Sequence, residues 1–151
     1  MVTDQSLTTA ESLLTPYTQA IDKPAANRLD VVVEVDDLVT AVYTLHQSEW
    51  GYLAAITGLD LGVESGLLEV LYHFCAGAAV VTLRVKVERD SAVVPTICPI
   101  IPSASFFERE LSEMLGITVA GTPNTDHLFL PDNWPEGVYP LRKDFQPGTI
   151  Q

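Results

Sequence analysis

Three glutamates and an arginine, Glu108, Arg109, Glu110 and Glu113, fall close together in the stretch SFFERELSEMLGI at residues 105–117. Two carboxylates facing one substrate cleft could hydrolyse a bond, one as a general acid with a raised pKa and the other as base or nucleophile. Glu110 and Glu113, three residues apart, share a side of a helix and are the pair for such a stand-alone enzyme. The intervening arginine argues against it, because an adjacent guanidinium keeps a carboxylate ionised and so unfit as an acid. No catalytic residue is assigned in this chain. The favoured reading is a helix that holds something in place. An exposed Arg109–Glu113 pair at i,i+4 contributes only ~0.3–0.5 kcal/mol, too little to account for so many gathered charges, so a partner outside the helix is expected.

The remaining chemistry-bearing residues are scattered. Cys75 and Cys98 lack any Cys or His at zinc or iron-sulfur spacing and are expected to be small buried hydrophobes. His46, His73 and His127 fall in no ligand or triad pattern and are expected to be structural. No metal or cofactor is expected in this chain. A net charge of −12 argues against nucleic acid and suits a basic protein partner. The first twenty residues show no signal peptide, and the most apolar stretch, near residues 70–83, is interrupted by His73 and Gly77. It falls short of the ~20 residues of a membrane span, so a cytoplasmic protein is expected.

These residues must be carried by one domain, which 151 residues can build without disulfides. Leu7, Leu13, Leu14, Tyr17 and Ile21 predict a helix running to Lys23-Pro24. RLDVVVEV predicts a strand, and Asp36 and Asp37 are candidate caps for a helix through Leu38, Val42, Leu45 and Trp50. YLAAITGLDL, LLEVLYHFC and AVVTLRVKVE follow, separated by short turns. In the last, Val81, Leu83, Val85 and Val87 face one way and Thr82, Arg84, Lys86 and Glu88 the other, so one face of the sheet is wet. Short turns make antiparallel neighbours, which predicts an α+β fold with helices packed on one face of an antiparallel sheet.

The charged stretch is the last helix. Ser105-x-x-Glu108 matches a capping box, Gly116 supplies a left-handed stop, and Phe107, Leu111, Met114 and Leu115 form the apolar stripe. Beyond it the chain is rich in proline and glycine yet too apolar to leave in water. Residues 1–130 are read as a single α+β domain and 131–151 as an extended C-terminal arm. Such a tail either packs on its own domain or lies over a partner with Trp134 and Tyr139 as anchors and Arg142 as a charged contact.

The succession PSASFFERE, Glu113-Met114-Leu115-Gly116-Ile117, Gly121, Pro123, Leu128, Trp134 and YPLRKDF at residues 139–145 resembles the thirty-kilodalton subunit family of bacterial NADH-quinone oxidoreductase, respiratory complex I. The resemblance runs from about Trp50 to Phe145 and leaves residues 1–28 unmatched. It implies a peripheral-arm subunit without its own redox centre, packed against the quinone-site subunit that resembles a NiFe-hydrogenase large subunit and against other peripheral-arm subunits. Iron-sulfur clusters, flavin and quinone would belong to those partners. Membrane association on the cytoplasmic side would come through the complex, and a homodimer is compatible with the chain in isolation. The matching docking elements are Glu108, Arg109, Glu110 and Glu113, then Gly116, Trp134, Tyr139, Arg142, Lys143 and Asp144. Thr122 stands where the family has histidine, and Asp126 and His127 where it has arginine. The run FLPDNWPEGVYPLRKDF looks as much like the related subunits of membrane-bound NiFe hydrogenases and formate hydrogenlyases, the alternative within this class.

Overall fold

The computed structural model describes residues 2–150, apart from the side chain of Thr149. The elements are α1 (Val2–Leu14), β1 (Thr18–Ala25), β2 (Arg28–Val33), α2 (Val35–Gln47), β3 (Tyr52–Asp60), β4 (Leu67–Ala76), β5 (Ala79–Glu88), β6 (Val93–Pro95), α3 (Ala104–Leu115) and β7 (Thr118–Ala120). The fold is α+β, as the periodicity predicts. Five strands form one sheet in the order β1-β2-β5-β4-β3, and β6 and β7 pair separately.

The expectation of an antiparallel sheet needs one correction: β2 runs parallel to β5, from Arg28↔Val80 to Val32↔Arg84. The β3-β4-β5 meander is antiparallel because its turns are short. Between β2 and β5 the chain crosses through α2 and two strands, long enough to bring β5 back in the same direction. The first helix is also shorter than its apolar spacing suggests. It gives way to a tight turn at Thr15–Tyr17 holding Pro16, and Ile21 belongs to β1. Pro24 lies in β1, an edge strand, where a missing N–H is tolerated. Glu34, not Asp36 or Asp37, is the N-cap of α2, and the two aspartates occupy its first turn, where they favour the helix dipole.

Alternation decides the two faces of the sheet. Val31 of β2, Leu83 and Val85 of β5, and Val70 and Tyr72 of β4 are buried on one face, which Leu14, Leu38, Leu45, Leu111 and Leu115 of the three helices cover. Close approach of α3 to β3 depends on Gly58: a Cβ there would lie 2.1 Å from Leu115 Cδ1. The opposite face carries charge. Arg84 donates to Glu69 at 2.5 Å and to Asp30 at 3.1 Å. His73 bridges Thr57 and Thr82 at 2.9 and 3.0 Å, and burial lowers its pKa.

The C-terminal segment is irregular in backbone, but it is bound to the domain and does not extend away from it. Leu141 N–H donates to Met114 O at 3.0 Å, and Lys143 N–H donates to Asp60 Oδ2 at 2.7 Å.

Candidate functional site

Helix α3 is the centre of the site, and its start differs from the capping box expected of Ser105 and Glu108. Ser103 is the N-cap and makes no side-chain cap bond, which puts Ser105 inside the helix. Glu108 turns inward instead. Its buried carboxylate accepts from Thr96 Oγ1 at 2.6 and 2.7 Å, from Ile97 N–H at 3.0 Å and from the Cys98 thiol. Three donors meet one charge, as a buried carboxylate requires. Burial pushes the Cys98 thiol pKa up, and the neighbouring Glu108 charge adds to it. Cys98 is therefore a buried thiol, whereas Cys75 is half-buried.

One turn on, Arg109 and Glu113 face the loop at residues 126–130. Arg109 donates to the carbonyls of Asp126 and His127 at 2.9 and 2.8 Å. Glu113 accepts the N–H groups of Leu128, Phe129 and Leu130 at 3.0, 2.7 and 3.3 Å. The pair expected to bond to each other thus binds opposite polarities of one backbone strand. The loop is the partner that the excess charge called for. Asp126 and His127 contribute carbonyls here, which any residue would supply, so the departure from arginine at this place leaves the contact intact.

At the other end of α3, Gly116 is left-handed with φ 71° and terminates the helix as expected. A Cβ on Gly116 would lie 2.4–2.8 Å from the Tyr139 ring. Arg142 stacks over that ring, 4.8 Å from its centre, and donates Nε to Leu115 O at 2.7 Å. With Leu141 N–H on Met114 O, the tail supplies donors to the orphan carbonyls of the last turn. A guanidinium at a helix C-terminus also favours the dipole. Gly116→Ala is expected to cost about 2–3 kcal/mol, from the left-handed backbone and the displaced tyrosine. Urea unfolding measures the cost, and loss of near-ultraviolet circular dichroism would report the tyrosine.

A second knot joins three distant segments. Arg89, just beyond β5, is buried between Asp60 at the end of β3 and Asp144 in the tail, the latter 2.8 Å away. Asp60 accepts in addition from Gly62 N–H at 2.8 Å and Lys143 N–H at 2.7 Å. Burial alone would raise the Asp60 pKa, but the Arg89 guanidinium and the two amides together hold it at about 2. Sequence reasoning missed Asp60 and Arg89. The available signal was a charged residue at each of two strand ends in the otherwise apolar middle of the chain.

Glu108, Arg109, Glu113, Gly116, Tyr139, Arg142 and Asp144 are therefore brought together on α3 and its ends. Trp134 stacks with Phe145, ring centres 6.5 Å apart, and donates to Val138 O at 2.7 Å. It lines a cavity of about 240 Å³ with Arg109, Glu113, Leu130 and Tyr139. Lys143 enters through its backbone alone, and Glu110 makes no hydrogen bond or ion pair among the described residues. No three His, Cys, Asp or Glu side chains among the described residues form a metal-ligand cluster.

An α+β domain whose charged helix clasps its own tail is, as a class, a structural subunit module. Residues 31–151 match the family described as respiratory-chain NADH dehydrogenase, 30 Kd subunit, and the chain belongs to that family, as its motifs imply. It is 34% identical to the corresponding NADH-quinone oxidoreductase subunit of Methylorubrum populi, over 80% of this chain and 56% of that one. It is 34% identical to formate hydrogenlyase subunit 5 of Escherichia coli, over 78% of this chain but only 21% of that one. The chain thus spans about a fifth of the hydrogenlyase subunit's length. Its fold matches a subunit of the membrane-bound sulfane sulfur reductase, an archaeal respiratory membrane complex, with a TM-score of 0.80, 22% identity and coverage of 96% and 88% of the two chains.

Proposed function

We propose that this chain is a peripheral-arm subunit, without a redox centre of its own, that docks on and braces the quinone-site subunit of a membrane-associated NADH-quinone oxidoreductase. That partner is the subunit resembling a NiFe-hydrogenase large subunit. The chain supports electron transfer from NADH to quinone by holding the electron-carrying subunits in place, and iron-sulfur clusters, flavin and quinone belong to them. Its attachment on the cytoplasmic side of the inner membrane is through the complex. No helix among the described residues is long and apolar enough to cross a membrane.

The observation that carries this reading is a rigid backbone presenting bare apolar side chains. Glu113 holds the Phe129 amide, yet the Phe129 ring is 64% exposed; Met114 holds the Leu141 amide, yet Leu141 is 57% exposed. Anchors already fixed in position lose little entropy on binding and make effective interface centres. The alternative enzyme loses its pair, because all of the charge on Glu113 is engaged by backbone N–H groups. The longer Escherichia coli relative supports the same view, since there the matching domain is part of a much larger polypeptide.

Replacing Phe129 and Leu141 together by serine is expected to lower co-purification of companion subunits at least about tenfold. The thermal midpoint of the isolated chain should stay unchanged, since both side chains face solvent. Undiminished co-purification would overturn this reading. The equivalent subunit of a membrane-bound NiFe hydrogenase or formate hydrogenlyase is the second reading, favoured by the identity to the hydrogenlyase subunit. Loss of hydrogen-linked rather than NADH-linked quinone reduction in a deletion strain would select it.

A further inference from the structure

The two edges of the sheet are unequal. On β1 the edge carries Asp22, Lys23 and Pro24, and its register with β2 breaks twice, devices that discourage a further strand. On β3 the register slips once, between Leu53 and Ala55, and then runs unbroken from Ala55 to Asp60. That run, AITGLD, contains no Lys, Arg or Pro, and its one charged side chain, Asp60, is engaged with Arg89. Leu61 N–H donates to Leu67 O, and by alternation Leu59 and Thr57 also face β4. The peptide groups of Ile56 and Gly58 therefore point outward, where the sheet has no further strand.

Beside the start of this edge lies an apolar groove of about 440 Å³, lined by Trp50, Tyr52, Leu53, Phe74, Ile100 and Ile101. Tyr52 is 66% exposed, and on α3, which packs on β3, Phe106 is 59% exposed. Glu110, one helical turn beyond Phe106, is the carboxylate without a partner among the described residues.

We infer that the free edge of β3 is completed by an extended strand of the quinone-site subunit, with an apolar side chain in the groove and a lysine or arginine opposite Glu110. The inference rests on the docking reading above and specifies its geometry. Main-chain bonds to Ile56 and Gly58 would supply affinity, and the groove and Glu110 would supply selectivity. A second copy is disfavoured as occupant because each copy carries a net charge of −12. In the hydrogenlyase relative the rest of the long polypeptide is available to this domain in cis; here a separate chain fills that role.

The test is amide hydrogen exchange at Ile56 and Gly58 in the free chain and in the complex purified through a tag on this chain. About a hundredfold or greater slowing in the complex is expected. Tyr52→Lys and Glu110→Lys should each reduce the yield of the quinone-site subunit at least about tenfold while leaving the free chain's exchange unchanged. If the complex forms and the two amides exchange as before, this inference is wrong and docking occurs elsewhere. If the companion subunit does not co-purify at all, the docking reading fails with it. Protection in a dimer of this chain alone would make the occupant a second copy and overturn the assignment.

Discussion

Arg89→Ala is expected to cost the domain ~3–5 kcal/mol, because it leaves the buried Asp60 carboxylate without its cation and releases Asp144. The effect should depend on pH in a defined direction. Folded Asp60 titrates at about 2, below its ordinary 3.8, so its ionised form stabilises the native state. That contribution, roughly 2 kcal/mol, is fully present above pH ~4 and disappears as pH falls through about 2. The gap between the native sequence and the variant in urea unfolding should therefore be wide at pH 7 and narrow toward pH 2. A gap that stays constant across this range would show that the Asp60–Arg89 pair is not the source of the stability.

Glu113→Ala should produce the second large effect, of a different kind. It removes the acceptor of three backbone N–H groups, each of which costs ~1–3 kcal/mol if left buried and unpaired. The loop can escape that cost only by leaving α3 for water. Limited proteolysis should then cut within residues 121–146 at least about tenfold faster, while amides of β4 and β5 keep their protection. Glu113→Gln should fall between, since its amide keeps one acceptor oxygen but turns an N–H group toward another N–H. Arg109→Ala should do less, because two carbonyls can be hydrated where they stand. Equal cleavage rates in the native chain and Glu113→Ala would show that the loop is held by something else.

Much of the scaffold was legible because side-chain alternation leaves few options. The spacing of Val81, Leu83, Val85 and Val87 places β5 and its buried face, and the short turns of the meander follow from Gly66 and Gly77, both left-handed here. The parallel β2–β5 pair was not legible, since strand direction depends on a crossover and not on local pattern. Local chemistry also misled. Ser105 and Glu108 have the spacing of a capping box, but Thr96, Ile97 and Cys98 offer Glu108 three donors in the interior, a tertiary alternative invisible at short range. The charge density of α3 correctly pointed to a partner outside the helix, and Gly116 was read correctly as its stop. That the nearest partner would be the chain's own loop could not be read, because hydrogen bonds to backbone carry no signature in the sequence being bound.

The Asp60–Arg89–Asp144 knot has a bearing on quality control. Its three members come from the end of β3, the end of β5 and the tail, so no two of them meet until the sheet has closed in register. A newly made chain with an unfinished sheet offers the tail nothing to latch to, and Leu141 is then neither fixed nor correctly presented. Only molecules that have completed their folding display the assembled surface, which makes the latch a checkpoint placed ahead of any incorporation into a larger machine.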